Sequence, residues 1–470
     1  MVATSALIVT VNPASGAELE RFAYMSAEEI DAHLDAAVRA QREWRRRAFA
    51  DRAQLLTSLA KVLRAETPRL AETAVREMGK PIVQARAEVE KCARACEYFA
   101  QNGERFLRDS AMESNATRSY VAFRPLGVIF AIMPWNFPYW QVFRAAAPAL
   151  AAGNGMVLKH ADSTTRCALE IERVFTEAGA PEGLFRTLLI SHEDADARIA
   201  DERIAAVTLT GSERAGIAVA SAAGAALKKS VLELGGSDPF IVLADADLEK
   251  AVEYAVKARF QNNGQSCIAA KRFIVEESVY DTFVRHFAQA AAAQRTGDPM
   301  EEHTQLGPCA RADLRDALQK QITDTVVDGG RIVTGGHAMD GPGFFFQPTV
   351  VADVQIRMPM FDQETFGPAA AVIRAKDYED AITLANTSTF GLGANLWTQN
   401  LERAAHMAAQ IESGMVFVNG MVASDPRLPF GGVKRSGYGR ELSAFGLHEF
   451  VNIQTVWIGP ERVENGAPAE

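Results

Sequence analysis

Residues 125–143 read PLGVIFAIMPWNFPYWQVF, nineteen uncharged residues between Arg124 and Arg144. On length alone such a run could cross a bilayer. Pro125, Pro134 and Pro138 interrupt it, however, and Asn136 and Gln141 are polar. It therefore reads as a buried strand over Val128–Ile132, a loop carrying Asn136, and a helix. That reading makes the chain an α/β protein rather than a membrane one.

From 127 to 243 the strand segments VIFAI, MVLK, FRTLLI, AAVTL and KSVLEL alternate with helical stretches. This is the pattern of a parallel sheet with crossover helices. The alternation restarts at Phe240–Leu243, after Asp238-Pro239, and runs to about residue 425, with strands near 272–275, 370–374 and 415–418. Helical spacing covers 27–66 and about 82–106. Two isolated β-forming segments, 119–123 and 450–457, suggest an arm rather than a core. The division expected is 1–106 with 127–237, then 238–440, with 107–126 and 441–470 as the arm and a polar, frayed tail from 459. No basic region precedes the short ALIVTV run, so no signal peptide is evident.

The 470 residues are 48% hydrophobic and 23% charged, with a net charge of −10. This excludes a mostly disordered chain, and nucleic acid is a poor default partner. Five irregularly spaced cysteines fit a reducing compartment, which points to the cytoplasm. Cys92 and Cys96 lie four apart in a helical pattern with no second pair, and no HExxH, CxxC or HxH occurs, so no metal is expected.

Four places invite chemistry. Thr210-Gly211-Ser212 through Gly216 follows a strand and opens a helix, so backbone N–H groups could face a pyrophosphate; the plainer reading is a connecting turn. Cys267 ends the turn-forming run Asn262–Cys267, where it is either a small buried hydrophobe or an activated nucleophile. Glu233 sits at an apolar strand end before Gly235 and Gly236. It is either an ion-pair partner or a base with a raised pKa. Asn136 either caps the following helix or donates to an oxyanion.

PWNFP (134–138), TGSxxxG (210–216), LELGG (232–236), GQSC (264–267), ETFGP (364–368) and PFGGVKRSGYGRE (429–441) occur in one order and spacing. Together they resemble the aldehyde dehydrogenase superfamily over essentially the whole chain. The resemblance implies a Rossmann-like cofactor domain, a catalytic α/β domain and a β oligomerisation arm, hence a homodimer or homotetramer. It implies that Cys267 attacks the aldehyde, that Asn136 and the Cys267 N–H hold the oxyanion, and that Glu233 activates water against the thioester. Trp135, Lys159, Asp162, Gly211, Ser212, Glu364 and Phe366 would line the dinucleotide. Asp162 stands three after Lys159, where many NAD-using members have Glu, so NAD is expected in preference, with NADP also admitted.

Within the family the chain looks most like the succinate-semialdehyde dehydrogenases. Arg144 and Ser424 match their contacts to the substrate carboxylate, although a salt bridge at the surface or arm is the competing reading of Arg144. Gln261 stands where some of them carry an additional Arg, and Ala269 replaces the second Cys of a redox switch. Glutarate semialdehyde or a broader range of aldehydes is the nearest alternative. A CoA-acylating relative would lack Glu233, and a non-enzymatic scaffold would have lost Cys267 or Glu233.

Overall fold

The computed structural model describes residues 7–459; the start of the first expected unit (1–6) and the tail from 460 onward lie outside the described residues. Strand Val128–Met133 lies in a six-stranded sheet ordered 437–438, 229–233, 204–210, 128–133, 155–160, 185–187. Its neighbours 204–210 and 155–160 are both parallel to it. The helix that follows, Trp140–Ala152, is buried on every side. A helix apolar all round belongs in a core or a membrane; this one packs against helices Ile82–Phe106 and Phe49–Ala65. Among the described residues no helix is long and apolar enough to cross a membrane.

The run FRTLLI (185–190) is a strand over Phe185–Thr187, and the Leu188 N–H makes one further bond to this sheet, to the Leu158 carbonyl at 2.7 Å. Beyond it the carbonyl of Leu189 accepts from the Met25 N–H at 2.9 Å, so the chain turns to the N-terminal hairpin Leu7–Val11/Glu18–Ala23. The second sheet has seven strands, ordered 331–334, 349–352, 369–375, 270–276, 238–242, 393–397, 415–418. All its pairs are parallel except the first. The sequence division assigned 238–440 to this second unit, but Gly437–Tyr438 pairs with Glu233 and Leu232 at the edge of the first sheet. Gly437 can do so because its backbone is left-handed (φ 107°) and a Cβ there would strike the Leu232 carbonyl at 2.0 Å.

Strands Arg118–Pro125 and Val451–Ile458 pair antiparallel over eight residues, with Ser110–Ala111 on the other edge. This small sheet leaves Ile453 and Trp457 exposed, at 62% and 53%.

Candidate active site

Cys267 follows helix Leu248–Phe260 and precedes strand Ala270–Glu276 of the second sheet. Between them the chain turns through Asn262 and Asn263, both left-handed at φ 57° and 58°, a conformation that Asn tolerates better than most residues. Side chains fix that turn. Asn263 donates to the carbonyls of Gly79 (2.8 Å) and Pro308 (2.9 Å), and its own oxygen accepts from Gly307 N–H at 2.7 Å. Asn262 donates to the carbonyls of Asn136 and Gln265, at 2.8 and 3.0 Å.

Asn136 is buried and donates to the Gln265 carbonyl at 3.0 Å, two residues before the thiol. It does not cap the next helix. Glu88 does so, its Oε1 accepting the N–H groups of Tyr139 and Trp140 at 2.9 Å each, while Lys80 pairs with the same carboxylate. Lys271, fully buried, completes the clamp by donating to the carbonyls of Ser266 (3.0 Å) and Cys267 (2.8 Å).

Burial pushes the Cys267 thiol up to about 12, against the pull of Arg144 and Lys271; Glu364 and Glu233 push it further up. The resting thiol is therefore protonated at neutral pH. Glu233 ends strand Lys229–Glu233 of the first sheet, buried, with no hydrogen-bond partner for either oxygen among the described protein groups. Burial, and then the neighbouring Glu441, hold its carboxyl well above the usual range, while Arg144 and Arg440 oppose the shift. The Glu441 carboxyl is likewise raised by burial although Arg144 pairs with it. Arg144 also donates to Thr210 Oγ1 at 3.0 Å and lies 4.5 Å from the Phe430 ring centroid. Its guanidinium is thus buried against Glu441, Thr210 and Phe430.

Gly211 N–H donates to the Glu233 carbonyl at 3.0 Å, joining the glycine turn to the strand of the carboxylate. Ser212 caps helix Glu213–Ala225, accepting from Ala215 N–H at 3.3 Å. Lys159, buried at the end of strand Gly155–His160, reaches Asp162 Oδ1 at 3.2 Å, and the Tyr24 hydroxyl donates to Asp162 Oδ2 at 3.0 Å. Glu364 accepts from Gly236 N–H at 3.0 Å and lies 3.4 Å from Lys271. A side chain at Gly235 would collide with that carboxylate, since a Cβ would sit 2.4 Å from Glu364 Oε2. Phe366 packs edge-on against Trp135, ring centroids 5.7 Å apart.

These groups suit a dinucleotide. The start of helix Glu213–Ala225 presents N–H groups to an anion, Lys159 supplies a buried cation, and Glu364 offers an acceptor beside the thiol loop. No cluster of three or more His, Cys, Asp or Glu suited to a metal occurs among the described residues. Cys92 and Cys96 are core side chains.

Ser424 is buried and accepts from Lys91 Nζ at 2.5 Å. Gln261 is exposed and lines an open groove of 790 Å³ with Gln84, Arg295, Glu302 and Met421, a groove that includes neither Cys267 nor Glu233. Sequence reasoning assigned no role to Lys91, Tyr24, Lys271 or Glu441. Glu441 closes the motif 429–441, and Lys271, with Arg272 beside it, opens an otherwise mostly apolar strand four residues after the thiol, so both carried a signal.

Comparison with known proteins gives one consistent result. The Aldehyde dehydrogenase family model matches residues 2–456. The chain is 51% identical over 449 residues to succinate semialdehyde dehydrogenase [NAD(P)+] of Escherichia coli, covering 96% of this chain and 97% of that one. It is 50% identical over 451 residues to a probable NADP(+) succinate-semialdehyde dehydrogenase of Synechocystis, covering 96% and 99%. The crystal structure of succinic semialdehyde dehydrogenase from Streptococcus pyogenes with NADP+ superposes with a TM-score of 0.94 at 38% identity, covering 96% and 100%.

Proposed function

The chain belongs to the aldehyde dehydrogenase family, and from that premise we propose that it oxidises succinate semialdehyde to succinate with NAD(P)+. The observation that carries this reading is that a clamped Cys267, in the loop before a strand of the second sheet, lies within electrostatic reach of the buried, unpaired Glu233 at a strand end of the first. The named substrate of the relatives supplies the carboxylate tail.

Cys267 is the nucleophile. Its proton passes to solvent water as the sulfur bonds the aldehyde carbon and the carbonyl π pair moves onto oxygen, and Lys271 and Arg144 favour the thiolate that the apolar surroundings oppose. Asn136 and the Cys267 N–H bind the resulting oxyanion; Asn136 is already aimed at the loop through Gln265. When bound, the dinucleotide supplies the two-electron acceptor that converts the thiohemiacetal into a thioester. Glu233 then takes a proton from water, whose oxygen attacks the thioester carbon and releases acid and thiol. Gly211, Ser212, Lys159 and Asp162 would hold the cofactor, Glu364 would bind its nicotinamide ribose, and Trp135 and Phe366 would pack near the ring.

NAD preference rests on the Asp162 carboxylate repelling a 2′-phosphate. Lys159 and Tyr24 both engage that carboxylate and offset its charge, which favours use of both dinucleotides. The arm strands, with Ile453 and Trp457 outward, are the surface through which we propose a homodimer or homotetramer to form. Five free cysteines suit the cytoplasm.

The test is an assay of purified protein with succinate semialdehyde, glutarate semialdehyde and butanal, with each dinucleotide, with and without CoA. Succinate formed without CoA is the expected result, with the highest kcat/KM for the four-carbon semialdehyde. A requirement for CoA would select the acylating reaction, and butanal as the best substrate would remove the carboxylate tail.

A further inference from the structure

Arg144 and Lys91 lie within electrostatic reach of one another, and their surroundings differ. Arg144 is matched by Glu441 and fills its remaining directions with Thr210 and the face of Phe430. Lys91, on helix Ile82–Phe106, is not matched. Its ammonium lies 4.3 Å from the Trp140 ring centroid and donates to the Ser424 hydroxyl, and among the described residues it pairs with no carboxylate. The acids nearest to it are committed elsewhere. Glu88 holds Lys80 and two backbone N–H groups, and Asp425 holds Arg427 at 2.5 Å.

A half-buried ammonium with only a hydroxyl and a ring face for company carries an unsatisfied charge. Burial, and then the charge of Arg144, bring its pKa down to about 8. It is still predominantly charged at neutral pH. Ser424 accepts from Lys91 and so keeps its own O–H free to donate. Ammonium and hydroxyl together offer two donors to one incoming carboxylate, beside a residue already expected at the substrate tail.

We propose that Lys91 is a specificity-determining residue that binds the carboxylate tail of the substrate together with Ser424. This rests on the reading of the substrate as an ω-carboxy aldehyde. Arg144 then serves that end of the site indirectly, by holding Glu441 in place.

The experiment compares wild type, Lys91→Met, Lys91→Gln and Lys91→Arg by the ratio of kcat/KM for succinate semialdehyde to that for butanal, an aldehyde of equal carbon count without the charge. Succinate affinity of each protein, measured by calorimetry, gives a readout independent of turnover, and dinucleotide binding reports intact folding. Loss of one charge-assisted bond lowers the ratio by about tenfold or more, expressed in KM rather than kcat. Lys91→Met and Lys91→Gln are expected to show that loss and to weaken succinate in parallel, and Lys91→Arg to recover part of both. A wild-type preference for succinate semialdehyde that survives Lys91→Met and Lys91→Gln overturns this inference alone. A wild-type enzyme without that preference overturns the substrate reading and this inference together. An equal fall for both aldehydes assigns Lys91 a structural role and also overturns it.

Discussion

Cys267 and Glu233 come to one place from different sheets and arrive there held in opposite ways. The thiol loop is secured by Asn136, Asn262, Asn263 and Lys271, each bonding to backbone carbonyls in or against it. The Glu233 carboxylate has no hydrogen bond among the described protein groups, only the charges of Arg144, Arg440 and Glu441 around it. The contrast follows from the two tasks. A nucleophile loses most of its advantage if displaced by an ångström. A base must change protonation state and meet a water that arrives only after the first half of the reaction, so a fixed partner would hinder it.

The largest expected effect breaks the base while leaving the clamp intact. Glu233→Gln keeps the shape and removes the proton acceptor, and steady-state turnover should fall on the order of 10²–10⁴-fold. Rapid mixing should still show one equivalent of reduced dinucleotide per site, because the thiol half of the reaction is untouched. Loss of that burst would mean that Glu233 acts on Cys267 as well. Next in size is Arg144→Met, which leaves Glu441 buried without its cation. Removing one partner of such a pair costs about 3–5 kcal/mol in unfolding free energy. Urea denaturation should show the loss, and Arg144→Met with Glu441→Leu should recover most of it.

The smallest effect sharpens the electrostatic side of the comparison. Glu233 has a raised carboxyl and works only when ionised, so thioester hydrolysis should speed up as pH rises through that pKa. Glu441→Gln removes a like charge and frees Arg144, both of which favour the ionised form. The acid limb should therefore move to lower pH, and at a pH on that limb each pH unit of displacement is about a tenfold gain in the ionised fraction. An acid limb that stays in place or moves upward would show that Glu441 does not set the base.

What the sequence made legible was local. Val128–Met133 stands out because a central parallel strand is buried on both faces and reads as an unbroken apolar run. Cys267, Glu233 and Asn136 stand out through short motifs whose neighbours are themselves constrained. What escaped depends on partners distant along the chain. Lys91 sits among Glu88, Glu90 and Arg94 on a helix and looks like part of a solvated face until Ser424 and Trp140 are brought against it. Arg144 announces its charge, but its partner Glu441 lies in the last stretch of the fold. The run 185–190 promised a full strand because burial is visible in residue types, whereas the turn of its backbone toward Met25 is not.

The bond between Lys91 and Ser424 spans 333 positions of the chain. Synthesis proceeds at roughly 5–20 residues per second, so tens of seconds separate the emergence of the two side chains. Cys267 is made well before Glu441 closes its pair with Arg144. Throughout that interval the young polypeptide carries the thiol without the completed acid–base apparatus, and the assembled site is among the last things this molecule acquires.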